Sequence, residues 1–243
     1  THAEIAAEKA GVLKNEAPFI YATDRTDVRD VFKQKANEEG SKTYELGRDF
    51  TAEGSSHSFD FTYGEQRLDD IALAMAGQHQ VANASLAIMA SLLLQKDYPK
   101  VTPELIKDAL AHASWLGRTE FLMPNLMIDG AHNNESVKVL IDLLRSEYAD
   151  KDIELLFAAI DTKPIDSMLA QLESVGDLTV TSFEYPNSVK LDKYPVTYKQ
   201  VSDFQTWIEE HVTANDDKLY VITGSLYFIS QVRKWILEQE SAV

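Results

Sequence analysis

Two short segments carry side chains suited to holding an anionic ligand. Leu116–Glu120 reads Leu-Gly-Arg-Thr-Glu, and nine residues later Asp129–Asn133 reads Asp-Gly-Ala-His-Asn. A guanidinium can grip a phosphate in two places and stays charged while it does so. Ordinary interpretations stay open, because Asp-Gly is a common turn pair and Arg118 can form a surface ion pair with Glu120.

The elements around these segments predict where the side chains lie. Residues 125–128, Asn-Leu-Met-Ile, are typical of a buried strand, and Ser136–Tyr148 has the pattern of the helix that follows it. Asp129–Asn133 is therefore predicted at the carboxyl end of a strand, which is where open α/β sheets bind ligands.

The rest of the carboxyl-terminal half repeats a strand and then a helix. Four strands are predicted, at Leu126–Asp129, Glu154–Ile160, Leu178–Phe183 and Leu219–Thr223. Four helices are predicted, at Ser136–Tyr148, Ile165–Ser174, Asp203–Thr213 and Leu226–Glu238. This α/β alternation predicts a mainly parallel sheet with helices on both faces. We predict one domain over residues 1–116 and a second over residues 117–243.

The amino-terminal half is predicted to mix helices with short strands. Thr1 and Glu4 fit a capping box, and Thr102 before Pro103 marks another helix start. The predicted elements are helices over Thr1–Gly11, Val28–Gly40, Ala82–Gln95 and Thr102–Ser114, a strand at Pro18–Ala22, and a hairpin pairing Phe59, Phe61 and Tyr63 with Ile71, Leu73 and Met75.

Composition argues against several classes of function. The chain has 39 acidic and 23 basic residues, a formal net charge of −16, which disfavours a nucleic-acid partner because phosphates need basic surface. No apolar run approaches the roughly 20 residues of a membrane span. Cysteine is absent, which excludes disulfides and thiolate sites and is compatible with a cytoplasmic location. Anionic ligands must therefore be held by local groups, such as helix amino ends and a few basic side chains.

Two further motifs complete a family resemblance. Gly77–Ala84 reads Gly-Gln-His-Gln-Val-Ala-Asn-Ala, and Glu8–Gly11 reads Glu-Lys-Ala-Gly. Together with the two segments above, in this order and at this spacing, they resemble folylpolyglutamate synthase, an ATP-dependent amino-acid ligase of the Mur ligase superfamily. The resemblance covers Thr1 to Tyr227, which is nearly the whole chain.

One motif of that family does not occur in the sequence. The family begins with a phosphate-binding loop, G-x-x-x-x-G-K-[ST], and none of the ten glycines here is followed by lysine. The resemblance therefore implies a carboxyl-terminal portion, with an incomplete central ATPase domain of the Mur ligase type over 1–116. A Rossmann-like, mainly parallel glutamate-ligase domain would follow over 117–243. We expect this portion by itself to lack ligase activity.

The resemblance also implies roles for individual residues. Lys9 would take up carbon dioxide and become a carbamate ligand of Mg²⁺, an ion that prefers oxygen ligands. Asn83 would contact the adenine of ATP. Arg118 would reach the nucleotide, Asp129 would accept from the ribose hydroxyls, and His132 would act near the phosphates and the reacting carboxylate. Without the resemblance, Lys9 belongs to a charged helix face and Asn83 is a capping or core amide.

Two residues are candidates for holding an incoming glutamate. Ser225 opens the last helix, whose amino end favours anions, although a serine there can also be a simple cap. Lys163 can pair with a glutamate carboxylate or be an ordinary loop lysine, and the sequence leaves both open. The chain departs from the family at Asn134, where proline is usual, and at Tyr185–Ser188, where Pro-Arg-Ser/Ala is usual.

The implied activity is ATP-dependent addition of L-glutamate to the γ-carboxylate of folate through an acyl phosphate, in folate biosynthesis and one-carbon metabolism. ATP and Mg²⁺ would be the cofactors, folate and glutamate the substrates, and the full-length enzyme a cytoplasmic monomer without nucleic-acid or membrane partners. Dihydrofolate synthase, or an enzyme with both activities, is the alternative within this chemistry, and the Asp-Gly-Ala-His-Asn segment disfavours a muramyl-peptide ligase. The alternative from another class is a non-catalytic module that binds a nucleotide or another anion.

Overall fold

A computed structural model of the chain describes residues 1–161, 165–213 and 216–240. It divides into two compact units, Thr1–Ala113 and Ser114–Val243. This division falls close to the predicted boundary at residue 116, while the assignment of nucleotide binding to one part and glutamate ligation to the other stays a prediction. None of the helices in the described ranges is long and apolar enough to span a membrane.

The first unit combines four helices with two small sheets. Its helices are α1 (His2–Ala10), α2 (Thr26–Glu38), α3 (Gln78–Leu94) and α4 (Pro103–His112). Its strands are β1 (Phe19–Tyr21), β2 (Thr43–Glu45), β3 (Thr51–Ser55), β4 (Ser58–Tyr63) and β5 (Gln66–Ile71). β1 and β2 pair in parallel, and β3, β4 and β5 form an antiparallel sheet in that order. The largest core of this unit joins Phe59 and Phe61 of β4 to Ile88 and Met89 of α3.

Local signals predicted this unit well at helix starts and less well in the hairpin. The Thr1–Glu4 capping box is present, and the Thr102 hydroxyl accepts from the Leu105 N–H at 3.3 Å. The predicted second hairpin strand was wrong, because Tyr63 pairs with Gln66 directly after a two-residue turn. The strand therefore ends at Ile71. The burial pattern of β5 hid it, because its two buried residues, Leu68 and Ile71, are three positions apart instead of two, and the pairing of β4 with β5 is irregular there.

The second unit is built on one six-stranded sheet. Its strands are β6 (Glu120–Met123), β7 (Leu126–Asp129), β8 (Asp152–Ala158), β9 (Asp177–Val180), β10 (Lys199–Gln200) and β11 (Lys218–Gly224). The strand order is β10-β9-β8-β11-β7-β6, and every pairing is parallel except β6 with β7. The prediction of a mainly parallel sheet is confirmed. The two outermost strands, β6 and β10, were missed because they are short and partly or fully exposed.

Helices cover both faces of this sheet, as predicted. They are α5 (Asn134–Glu147), α6 (Ile165–Leu172), α7 (Phe204–His211) and α8 (Leu226–Glu240). Alternate residues of each central strand point to opposite faces. One core joins β-strand residues such as Met127, Leu155 and Val221 to α5 and α6. The other joins the intervening residues, among them Ile128 and Leu156, to α7 and α8.

The strand order determines which chain segments become neighbours at the carboxyl edge of the sheet. β11, the last strand in sequence, lies between β7 and β8 and pairs with both. The segments that follow these three strands begin at Gly130, Ala159 and Ser225. They therefore lie side by side, although they come from distant parts of the chain.

Gly224 ends β11 in a backbone conformation that only glycine adopts readily. Its φ is +126°, and a Cβ built on it would lie 2.0 Å from the backbone oxygen of Ala158 on β8. Gly130 differs, because its φ is not in the left-handed region and its Cβ would meet Leu226 Cδ2 at 2.2 Å. Leu226 is 44% exposed and can move aside, whereas a strand carbonyl in the sheet cannot.

We expect Gly224→Ala to lower the free energy of unfolding of the second unit by about 3 kcal/mol or more, because it combines a disfavoured φ with a backbone clash. Gly130→Ala is the matched control and should cost only about 1 kcal/mol. Urea unfolding followed by tryptophan fluorescence measures this unit selectively, since Trp115, Trp207 and Trp235 all lie in it. Equal losses for the two variants would contradict this account.

Candidate functional site

The two segments singled out in the sequence are joined through Gly130. The Gly130 N–H donates to the carbonyl of Gly117 at 2.8 Å. The Gly130 carbonyl in turn accepts from Arg118 Nη1 at 3.2 Å and lies 2.7 Å from His132 Nδ1. One peptide group therefore fixes the arginine and the histidine close to each other, at the carboxyl end of β7.

This contact also decides the protonation pattern of the His132 ring. A carbonyl oxygen cannot donate, so Nδ1 must carry the proton in the hydrogen bond to Gly130. In the neutral ring Nε2 then carries the lone pair and is the hydrogen-bond acceptor. The turn is held on its other side by Ser136, whose hydroxyl accepts from the His132 N–H at 3.1 Å, and by Asn133, which caps α5.

Asp129 acts as an internal anchor of the site. Its Oδ2 accepts from the Thr119 N–H at 2.8 Å, and the residue is 7% exposed. Burial raises the pKa of the Asp129 carboxyl above its ordinary value, opposed by hydrogen bonds from the Thr119 and Ala131 N–H groups and by the charge of Arg118. The carboxylate is thus largely used to hold residues 117–119, including Thr119 at a φ of +42°.

Glu120 has a different partner from the one the sequence suggested. Its Oε1 lies 2.8 Å from Arg233 Nε on α8, and its Oε2 accepts from the Gly117 N–H at 2.7 Å. The alternative that Arg118 merely forms a surface pair with Glu120 is therefore wrong. Arg118 makes no ion pair with any residue in the described ranges, so its guanidinium keeps most of its donors for a ligand.

A cavity of about 340 Å³ opens at the carboxyl ends of β7, β8 and β11. Its lining combines two predicted site residues with apolar groups: His132, Phe157, Ala159, Ile160, Ser225, Leu226 and Tyr227. Ser225 is 3% exposed, and its N–H donates to the carbonyl of Ala158 at 2.9 Å. The first helical hydrogen bond of α8 runs from Ile229 to Ser225, which leaves the amides of residues 226–228 without an intrahelical acceptor.

A larger groove of about 620 Å³ runs along α8 between Leu116 and Glu238. It contains none of the residues predicted to bind a ligand. We place the site at the smaller cavity, because ligands of open α/β sheets bind where the strands end.

The other predicted residues lie elsewhere or outside the described ranges. Lys9 is exposed in the last turn of α1, and Asn83 is on the exposed face of α3, where its Nδ2 donates to Gln80 Oε1 at 3.1 Å. Both belong to the first unit. Lys163 lies outside the described residues.

The Mg²⁺ prediction rests on Lys9 in α1. The described residues contain no group of three or more His, Asp or Glu side chains that could hold a metal ion. Within the described residues a Lys9 carbamate would be a single ligand, and Mg²⁺ binding stays a prediction.

Several site residues had no clear signal in the sequence. Leu226 and Tyr227 both line the cavity, and no pattern in the sequence marks either of them as a site residue. Arg233 is one of several basic residues on a helix, and nothing local indicates that it pairs with Glu120. The departure at Asn134 has a structural use, since its Oδ1 accepts from Ser167 Oγ at 2.7 Å and from Gln171 Nε2 at 3.1 Å and so ties α5 to α6.

Comparison with known proteins identifies the relatives of this fold and site. No protein-family model matches the chain. A dihydrofolate synthase/folylpolyglutamate synthase of Bacillus subtilis is 30% identical over 249 residues, which are 95% of this chain and 57% of that protein. Over nearly its whole length, the chain has dihydrofolate and folylpolyglutamate synthases as its homologues.

Solved structures show the same fold. A folylpolyglutamate synthase of Mycobacterium tuberculosis, solved with ADP and AMPPCP, superposes with a TM-score of 0.81 at 20% identity, over 96% of this chain and 59% of that one. A UDP-N-acetylmuramate–L-alanine ligase of Hydrogenobaculum is 28% identical over 155 residues, 59% of this chain and 34% of that protein. The chain thus spans a little more than half the length of its folylpolyglutamate synthase relatives.

The buried carboxyl of Asp129 predicts a measurable pH dependence. Because its folded-state pKa is raised, the protonated form stabilises the fold, and this contribution is lost as pH rises through the raised pKa. The Asp129→Asn variant has no such proton. Relative to the unsubstituted chain, its free energy of unfolding should therefore increase from about pH 4 to about pH 8, by about 1.4 kcal/mol per unit of pKa difference. A difference that stays constant across this range in urea unfolding would contradict the prediction.

Proposed function

We propose that the full-length protein is an ATP-dependent ligase that joins L-glutamate to the γ-carboxylate of folate. Its relatives carry this activity in their names, and one observation in the second unit supports it best. His132 and Ser225 line one cavity, and Arg118 donates to the same Gly130 carbonyl that fixes His132. A phosphate-binding cation, a proton acceptor and a small polar pocket are thereby adjacent, which is what joining an acid to an amine requires.

The proposed reaction has two steps. The γ-phosphoryl group of ATP is transferred to a carboxylate oxygen of folate, giving an acyl phosphate and ADP. The amine of glutamate then attacks the acyl carbon, an amide bond forms, and phosphate leaves. The ammonium group of glutamate must first lose a proton, and the free Nε2 of His132 is the group in this cavity that can accept it. When bound, Mg²⁺ would neutralise the charge of the transferred phosphoryl group.

Arg118 is proposed to hold the nucleotide phosphates. The residue is partly exposed and forms no ion pair with any described residue, although its charge acts on the nearby Asp129 carboxyl. In a chain with a net charge of −16, an unpaired cation fixed at a strand end is a specific attraction for an anion. The roles of Asn83 at the adenine and of Asp129 at the ribose are proposed on the family resemblance. For Asp129 the primary use seen here is structural.

The cavity is proposed to hold the incoming glutamate. The free amide groups at the start of α8 and the Ser225 hydroxyl can bind a carboxylate. The apolar walls, from Phe157 to Leu226, suit the methylene groups of the side chain. Lys163 is the proposed cationic partner. The full-length enzyme is proposed to be a cytoplasmic monomer.

The first experiment measures glutamate-dependent ADP release by the full-length protein, with Mg²⁺ and bicarbonate present. Tetrahydrofolate and dihydropteroate are compared as acceptors. Release with tetrahydrofolate alone would establish a folylpolyglutamate synthase, and release with both acceptors would establish a bifunctional enzyme. Release with neither would overturn the proposal. The 243 residues by themselves, which contain no phosphate-loop motif, are expected to release no ADP.

A second candidate, a non-catalytic module that binds a nucleotide or another anion, is tested through Arg118. If the site binds nucleotide phosphates, Arg118→Ala in the full-length protein should weaken ADP binding by on the order of 10- to 100-fold, the value of a charged hydrogen bond. Arg145→Ala is the control, since Arg145 is exposed on α5 and bonds only to Ser174 Oγ. Calorimetric titration with ADP measures both. Unchanged affinity in Arg118→Ala would remove Arg118 from the nucleotide site and would favour the non-catalytic module.

A further inference from the structure

The cavity has an aromatic wall whose position depends on a residue outside it. Tyr227, the second residue of α8, lines the cavity but is 51% exposed. An exposed ring in the first turn of a helix has few neighbours to fix its rotamer. The Tyr227 ring does have such a neighbour, because the ring of Tyr185 stacks on it, with centroids 4.1 Å apart and planes inclined by 18°.

Tyr185 is itself connected to the core. Its ring lies parallel to that of Phe183, with centroids 6.0 Å apart, and the buried Phe183 packs on Phe228 of α8 at 5.4 Å. The backbone of the segment is tied to the same helix, because Gln231 Nε2 donates to the Glu184 carbonyl at 2.9 Å. A continuous line of contacts therefore runs from the core through Tyr185 to the cavity wall.

The stacked rings restrict the position of the Tyr227 ring. Because this contact is made by the faces of the two rings, removing the Tyr185 ring should release Tyr227, while removing only the Tyr185 hydroxyl should not.

The lining of the cavity has a polar part and an apolar part. His132 and Ser225 provide polar groups, and Ile160, Leu226 and Tyr227 provide an apolar surface. An amino acid whose polar groups meet His132 and Ser225 places its methylene groups against this apolar surface. The contact between the Tyr227 ring and the bound amino acid would therefore depend on the number of methylene groups in the side chain of that amino acid.

We infer that Tyr185 is a positioning residue for substrate selection: by stacking on Tyr227 it sets the aromatic wall that favours an acidic amino acid with two side-chain methylene groups over one with a single methylene. This inference rests on the proposed glutamate-ligase function. A pocket that measures one methylene group typically discriminates by on the order of 10- to 200-fold.

The test uses the full-length protein and compares L-glutamate with L-aspartate in the ADP-release assay. Tyr185→Ala should raise the KM for glutamate about 10-fold with kcat nearly unchanged, and should lower the glutamate-to-aspartate ratio of kcat/KM by a similar factor. Tyr185→Phe keeps the stacked ring and should remain close to the unsubstituted enzyme. Tyr98→Ala is the control for loss of an exposed tyrosine, as Tyr98 is 61% exposed in the first unit.

The outcomes separate the two proposals. If the unsubstituted enzyme shows no glutamate-dependent ADP release, the proposed function fails and this role fails with it. If that enzyme is active and Tyr185→Ala keeps its KM and its selectivity, only the role of Tyr185 is overturned. Should Tyr185→Ala fail to fold, Tyr185→Leu keeps the bulk but cannot stack, and the same shift in selectivity is expected of it.

Discussion

The second unit depends on a small hydrogen-bonded junction between residues 117–119 and the turn after β7. The buried Asp129 carboxylate accepts from the Thr119 N–H, and Gly130 exchanges contacts with Gly117, Arg118 and His132. Burying a carboxylate is unfavourable unless hydrogen bonds compensate for its lost hydration. These N–H groups offset part of that cost, since burial still raises the pKa of the Asp129 carboxyl. The hydrogen bond from Thr119 in turn fixes the segment that carries Arg118. The primary role of these polar groups is therefore to stabilise the junction that carries the candidate site.

The strand order brings this junction next to the start of α8, and together they form the candidate site. β11 lies between β7 and β8, so Ser225 and the first turn of α8 arrive beside His132. Gly224 makes the transition possible, because any side chain there would meet the Ala158 carbonyl. The Glu120–Arg233 pair adds a second connection from α8 back to the residue that binds the Gly117 N–H. The start and the middle of α8 are thus both connected to this junction.

The site also shows how an acidic protein can attract anions. A net charge of −16 repels a nucleotide or glutamate at long range. Attraction must then come from basic groups that are not already held in an ion pair. Arg118 forms no ion pair with a described residue, although its charge acts on the buried Asp129 carboxyl, whereas Arg233 is paired with Glu120. The distinction between a structural and a ligand-binding arginine lies in their partners and not in the residue type.

The sequence by itself determined the alternation of strands and helices, the capping of α1 and α4, and the position of Asp129–Asn133 at a strand end. These are local properties, because hydrophobic period, cap chemistry and turn residues act over a few positions. Tertiary structure alone decided that Glu120 pairs with Arg233, that His132 and Ser225 share a cavity, and that Tyr185 stacks on Tyr227. Those contacts depend on strand order and on how each helix packs across the sheet, and the residues involved are far apart in the chain. The edge strands β6 and β10 were missed for a related reason: a short strand with exposed side chains has little pattern of its own and forms because a neighbouring strand offers it hydrogen bonds.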